Sequence, residues 1–373
     1  MMSLDVFRGI TIFGMILVND PGSWEHIYPP LEHAPWNGWT HTDLIFPFFL
    51  FIAGVSMALS FSSRIARGDQ RGDLLRHTLR RAAIIYFIGF CLALFPYFSD
   101  VDHWQRIRIM GVLQRIGVVY ALAGTAYLYL SKKQRVVLIA VALIGYWMMM
   151  RFIPVPGFGA GNFWDGNHPD ANLAAYLDRM ILGHHLYRPT SDPEGLLSTI
   201  LAACTALIGN FVGELLNQKS SWQKKVATLA IAGAIGMAIG EVLHPVFPIN
   251  KNLWTSTYVL FTAGYAMLAL AACYWIIDVR KWRAWCQPFL WLGMNAILVF
   301  TMSSWVAKNI YLIFKTTMPN GERESVEGWI YLRCFEPYFG DARNASLAFA
   351  LSYVACWMLV MWWFYRRKIF VKV

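Results

Sequence analysis

TDLIFPFFLFIAGVSMALSFS, residues 42–62, decides what kind of protein this is. Its one charged side chain, Asp43, stands near the start, and the apolar run that follows is long enough to cross a bilayer. A hydrocarbon core about 30 Å thick is spanned by roughly 20 apolar residues in a helix. A helix is required because lipid offers no partners to backbone amides and carbonyls. Nine further runs of the same character lie at 4–19, 79–98, 109–130, 135–153, 195–216, 226–243, 254–277, 288–313 and 345–366. The 373 residues are 57% hydrophobic and 14% charged, with a mean hydropathy of +0.43. Soluble domains carry about 25% charge. These values exclude a disordered chain and argue against a soluble enzyme. The unbroken runs exclude an outer-membrane barrel, whose strands alternate. The expected fold class is an all-α polytopic membrane protein of about ten transmembrane helices. Without internal repeat or low-complexity tract, residues 1–373 read as a single transmembrane domain.

The net charge of +10 is a matter of topology rather than nucleic-acid binding. Arg64, Arg67, Arg71, Arg76, Arg80 and Arg81 cluster at the junction of the second and third runs. Lys132, Lys133 and Arg135 follow the fourth, Lys219, Lys224 and Lys225 the sixth, Arg280, Lys281 and Arg283 the eighth. Arg366, Arg367, Lys368 and Lys372 end the chain. With ten helices all of these share one side, which the positive-inside rule makes the cytoplasm, so both termini are expected there. The opposite side receives the long loops 20–41, 99–108, 154–194, 244–253 and 314–344. Of nine His only His77 is on the basic side. Asp5 stands at the head of the first run and no small-residue cleavage site follows it, which argues against a secretory signal peptide. Asp5 and Arg8 are spaced to pair on one helix face. Cys91, Cys204, Cys273, Cys286, Cys334 and Cys356 form no CxxC pair and read as small buried hydrophobes.

Candidate chemistry concentrates in the first outer loop, with Asn19, Asp20, His26, Glu32, His33, Trp36, Asn37, His41 and Asp43. An imidazole such as that of His33 takes and returns a proton near neutral pH, or carries an acyl group as a nucleophile. The plainer reading is an interfacial His bonded within a Trp-rich loop. Asp43 is either a first-turn helix cap or the acid that orients His33. Asn19 either caps the first helix or donates to an oxyanion. Arg115, with Gln114 beside it, lies well inside an apolar run, where a charge needs a wet cavity, a partner carboxylate or an anionic ligand. Asp192 and Glu194 flank Pro193 at a helix start, where capping is sufficient reason for them. Lys251 beside Trp254 suits an interfacial anchor. Asn295 suits interhelical bonding, and Gly236 with Gly240 a close helix contact. No His spacing fits a catalytic metal site.

Seven stretches together resemble one family: SLDVFRGITIFGMILVN (3–19), HAPWNGWTHTDLIFPFFLFIAG (33–54), RIRIMGVLQRIGVVYAL (106–122), DPEGLLSTI (192–200), INKNLW (249–254), GMNAILVF (293–300) and YRRKIFVKV (365–373). The order and length of these motifs are similar to those of the heparan-α-glucosaminide N-acetyltransferase family. The resemblance implies a transmembrane acetyltransferase moving an acetyl group from cytoplasmic acetyl-CoA to the amine of a glucosamine-type sugar at the outer side. It implies His33 as base or transient acetyl carrier, Asn19 as its partner and Asp43 as the acid after the WNG motif. Arg108, Gln114, Arg115 and Asn295 are then expected along the acetyl-CoA route. Trp36, Asn37, Asp192, Glu194 and Lys251 are expected at the acceptor. The implied setting is a bacterial inner membrane, with surrounding lipid, a homodimer, no nucleic acid, no metal, and the active site toward the periplasm. An amino-sugar permease or a glycan O-acyltransferase are the rival readings of the same helices.

Overall fold

The structure, a computed structural model, describes residues 1–317 and 323–371. Lys372 of the basic tail and residues 318–322 of the last outer loop lie outside the described residues. Nine described helices are long and apolar enough to cross a membrane, and the chain is an all-α integral membrane protein. Each of the ten expected runs contains a helix. The one that misses the nine is α5 (Val112–Tyr129), whose apolar character is diluted by Gln114, Arg115 and three tyrosines. Residues group into two compact units: Met1–His33, Thr40–Ile45 and Arg280–Val373 in the first, Ala34–Trp39 and Phe46–Val279 in the second.

In the first unit, α1 (Met2–Asn19) packs on α11 (Gln287–Met294) at two glycines that admit no side chain. A Cβ on Gly9 would stand 1.8 Å from the Phe289 carbonyl oxygen, and one on Gly293 2.1 Å from that of Asp5. The expected Asp5–Arg8 pair forms at 3.2 Å, and Arg8 also donates to the Gly293 carbonyl. The run at 288–313 is not one helix. It breaks at Asn295 into α11 and α12 (Ala296–Lys308), which passes into a π turn at Asn309–Ile313. A two-stranded ribbon of β1 (Lys315–Thr317) and β2 (Arg323–Ser325), then α13 (Val326–Cys334), occupy what reads in sequence as loop. The long α14 (Ala342–Arg366) completes this unit.

The second unit takes up α2 (His41–Ala66) from Phe46 onward, and its helix runs through Pro47 without a break. Against it lies α8 (Leu196–Asn217) at backbone contact. A Cβ on Gly54 would reach 1.9 Å from the Ala206 carbonyl oxygen, and one on Gly209 2.2 Å from that of Phe51. Small residues at such contacts are how helices associate when lipid supplies no hydrophobic drive. The same device joins α9 (Trp222–Leu243) to α10 (Ser256–Cys273), where Gly233, Gly236 and Gly240 face the α10 backbone and Gly264 faces that of α9. The expected Gly236–Gly240 contact is thus present, with Gly233 added. On α6 (Lys132–Phe152) and α9 the apolar side chains Val137, Val141, Ile144, Ile231, Ile235 and Val242 are exposed, as a lipid-facing surface requires.

One helix start and two outer segments differ from expectation. The third helix, α3, starts at Arg71 and ends at Leu94, so Arg71, Arg76, His77, Arg80 and Arg81 sit on its first turns rather than in a loop. Long cationic side chains reach back to the membrane boundary along apolar surface, so the helix extends past its apolar run. The outer loop 154–194 contains the amphipathic α7 (Leu173–Leu182), and a single turn, α4 (Val101–Trp104), follows α3. Cys204, Cys273 and Cys286 are buried, whereas Cys334 and Cys356 are exposed.

Candidate functional site

The start of α2 builds the first constellation, and the local chain explains why. Thr40 precedes the helix and Asp43 occupies its first turn, the spacing of a capping box. Asp43 Oδ2 accepts from the Thr40 backbone N–H at 3.1 Å and stands 3.2 Å from its hydroxyl. The same hydroxyl reaches the Glu32 carbonyl at 2.6 Å, pinning the two ends of the turn together. This closure brings His33 over the helix start, where its Nδ1 lies 2.7 Å from Asp43 Oδ1. The carboxylate side chain is 1% exposed and the imidazole 53%. Asp43 thus contacts the turn before the helix through one oxygen and His33 through the other. A carboxylate that accepts a hydrogen bond from Nδ1–H leaves the basic lone pair on Nε2.

Asn19 is exposed at the last residue of α1, in the same unit. The next residue, Asp20, is half-buried, and loss of hydration with the nearby Glu327 charge raises its carboxyl to about 8. Burial likewise lifts Glu327, on the first turn of α13, to about 7. Asn295 sits at the α11–α12 break, where its Nδ2 donates to the Ile369 carbonyl and its Oδ1 accepts from the Val371 N–H, both from the chain's tail.

A second constellation lies in the other unit. Arg108 forks onto Asp192, with Nε to Oδ2 at 3.0 Å, and also bonds Glu194. Its face covers the Tyr187 ring at 4.6 Å. Burial opposes the guanidinium charge, but the two carboxylates overcome it and hold Arg108 above its ordinary range. Burial alone would raise Glu194; Arg108, Arg115 and Lys251 hold it low instead. These residues therefore form a charged network and not simple helix caps. Arg115 is fully buried on α5, bonded to Ser198 Oγ and the Gly195 carbonyl, with its charge 5.1 Å from the Trp254 ring centre. Among the described residues its Nε and Nη1 have no hydrogen-bond partner. Gln114 is buried between Gly89 and Gly111, whose missing side chains make its room.

Trp36 and Asn37 are docked rather than loose. The Trp36 indole donates to the Phe163 carbonyl, and Asn37 donates to the Trp164 carbonyl and accepts from Asn250. Lys251 follows Asn250 in the turn before α10 and contributes charge to the Glu194 network. The structure thus joins His33 with Asp43, and Arg108 with Asp192 and Glu194. It also sets Arg115 against the first turns of α8.

Some contributors escaped the sequence reading. Asp178 on α7 accepts from the Leu196 N–H at 2.8 Å and so caps α8 from another helix. Its burial raises its carboxyl to about 6, with nearby Asp192 adding to the shift. The helical spacing of LAAYLDRMIL was the available signal. Among the described residues no three His, Cys, Asp or Glu side chains gather as a metal site would require.

Comparison with known proteins follows this geometry. Residues 1–167, which include Asn19, His33, Asp43, Arg108 and Arg115, match the family model for heparan-alpha-glucosaminide N-acetyltransferase, catalytic. The human heparan-alpha-glucosaminide N-acetyltransferase is 31% identical over 420 residues, covering 100% of this chain and 59% of the relative. The mouse protein of the same name is 29% identical, covering 99% of this chain and 60% of the relative. From its first residues to its last, then, this chain is similar to the heparan-alpha-glucosaminide N-acetyltransferases, and it spans about three fifths of the length of the curated relatives it matches.

Proposed function

We propose that this protein is a transmembrane N-acetyltransferase, taking the acetyl group of acetyl-CoA and placing it on the amine of a glucosamine-type sugar. The observation that carries the reading is the buried Asp43 carboxylate 2.7 Å from the Nδ1 of an exposed His33, within the segment that matches the catalytic family model. With Nδ1 committed to Asp43, His33 works through Nε2. In direct transfer, Nε2 removes the amine proton as nitrogen forms its bond to the acetyl carbon. The carbon–sulfur bond then breaks and CoA leaves as the thiol, with the proton His33 returns. In the stepwise variant Nε2 of His33 first bonds the acetyl carbon as the carbon–sulfur bond breaks and CoA leaves as the thiolate; the amine then attacks the acetyl carbon, the Nε2–carbon bond breaks, and Nε2 takes up the amine proton. Asn19 is the proposed donor to the oxyanion, and the cations Arg108 and Arg115, with Gln114 and Asn295, the proposed contacts of acetyl-CoA. The inner ends of the helices carry the Lys and Arg, so both termini belong in the cytoplasm and His33 on the opposite face.

The test is CoA release by the purified full chain in detergent, with glucosamine and acetyl-CoA. Amine-dependent thiol release that disappears in His33→Ala supports the proposal. Folded protein that releases no CoA, but takes up amino sugar into vesicles without it, establishes the permease instead. Labelled acetyl retained on wild-type protein without acceptor selects the stepwise variant; none retained under turnover conditions selects direct transfer.

A further inference from the structure

Asn295, 2% exposed at the α11–α12 break, engages two successive peptide groups of the tail at once. Its Nδ2 donates to the Ile369 carbonyl at 3.1 Å, and its Oδ1 accepts from the Val371 N–H at 2.9 Å. The partners are the carbonyl of one amide and the N–H of the next, with Phe370 between them. Backbone chemistry is what holds this segment. Ile369, Phe370 and Val371 stay 37%, 38% and 45% exposed, so burial of their side chains contributes little. The segment reaches Asn295 by a sharp reversal at the end of α14. There the Ile369 N–H donates to the Phe364 carbonyl at 2.9 Å and the Lys368 N–H to the Tyr365 carbonyl at 3.0 Å, the bond pattern of a Schellman end. Glycine is the usual residue at the pivot of that turn, because the backbone there is left-handed. Lys368 fills it here with a φ of 57°. The docked tail is therefore held by few bonds and works against a backbone preference.

The pantetheine arm of acetyl-CoA presents the same groups in the same order. Its two secondary amides are joined through a β-alanine unit. A carbonyl is thus followed by the N–H of the next amide, with a single methylene more than in a peptide. A side-chain amide that grips the tail in this way has the donor and the acceptor to grip that arm. We propose that residues 369–371 are an internal stand-in for the pantetheine arm, competing with it for Asn295, so that acetyl-CoA binds as the tail lifts. The proposal rests on the acetyltransfer reading for the identity of the ligand. A ligand that requires the undocked form is weakened in proportion to how little of that form is present. The tail thereby sets the affinity for the cosubstrate, and the strained turn at Lys368 keeps it displaceable.

The experiment follows hydrogen exchange of the 369–371 amides by mass spectrometry on the full chain in detergent, alone and with CoA, pantetheine or adenosine 3′,5′-bisphosphate. CoA affinity is measured by calorimetry for wild type, Lys368→Gly and Lys368→Val, with CoA release assayed in parallel. CoA and pantetheine should each speed exchange in this segment by about tenfold or more at saturation. The nucleotide, which has no secondary amide, should not. A left-handed backbone is disfavoured about 5–30-fold for an L-residue, more for a β-branched one, and not for glycine. Lys368→Gly therefore favours docking and Lys368→Val opposes it, while both remove the same charge. Lys368→Val should bind CoA at least about fivefold more tightly than Lys368→Gly. Equal affinities, or the reverse order that a tail needed to build the site would give, overturn the proposal. Exchange unmoved by saturating CoA overturns it on wild type alone, however the variants fold. Exchange speeded equally by the nucleotide overturns the match of amides. Amine-dependent CoA release with unmoved exchange leaves the acetyltransfer reading standing and removes the competing tail. Exchange speeded by pantetheine without CoA release does the reverse.

Discussion

Replacing Asp43 by Asn separates its two duties. The Asn Oδ1 can still accept from the Thr40 backbone N–H, so the start of α2 keeps its cap, a contribution typically of about 1 kcal/mol. The other atom becomes an N–H donor facing His33 Nδ1, where a carboxylate oxygen stood at 2.7 Å. That donor selects the tautomer with its proton on Nε2 and leaves no base pointing at the substrate. The lost bond is charge-assisted, worth about 1.5–3 kcal/mol, and the imidazolium formed in turnover loses its counter-charge. Turnover should therefore fall by at least about 10–150-fold, with further loss from the wrong tautomer. Thermal stability in detergent should stay within a few degrees of wild type, whereas Asp43→Ala should lose both activity and cap. The assay is thiol release with saturating acetyl-CoA and glucosamine, beside a melting curve on the same sample. Asp43→Asn retaining more than half of wild-type turnover would refute the proposed role of the pair.

Three further outcomes are expected. Gly54→Ala forces a methyl to within 1.9 Å of the Ala206 carbonyl oxygen, and overpacking of this kind costs about 1–3 kcal/mol or more; a melting temperature equal to wild type contradicts the α2–α8 contact. Arg108→Ala strands two buried carboxylates and should destabilise by about 3–5 kcal/mol, a loss visible as a lower denaturation midpoint and partly restored in Arg108→Lys. Asp178, raised from 3.8 to about 6, favours the folded state in its protonated form. Its contribution is present below about pH 4 and lost as pH rises through about 6, a change of roughly 3 kcal/mol at most. Asp178→Asn keeps the acceptor for Leu196 and should flatten that part of the stability profile; an unchanged slope removes Asp178 as its source.

The positions of the spans were legible because a bilayer demands long apolar runs, and runs such as 42–62 admit no other reading. Their ends were less so. Arg71 to Arg81 read as loop by charge, yet they ride on α3, since a long cationic stem lies comfortably along apolar surface. The break at Asn295 was invisible to hydropathy, which sums residues without regard to backbone direction. The short α7 is hidden within a polar outer loop. In the candidate site, His33 and Asp43 are ten residues apart, and each had a sufficient local reading as loop residue and helix cap. Only the Thr40–Glu32 closure shows that they meet. The Arg108–Asp192 pair joins residues 84 apart, a distance no local pattern encodes.

The first turn of α2 carries a mechanical implication. One side chain both caps the first turn of a membrane-crossing helix and steers a ring at the water's edge, so the aim of the ring depends on how that first turn is held. A bilayer that is too thick or too thin tilts such helices. Reconstitution across lipids of graded chain length should therefore modulate turnover through the aim of the imidazole, with no lipid touching the substrate.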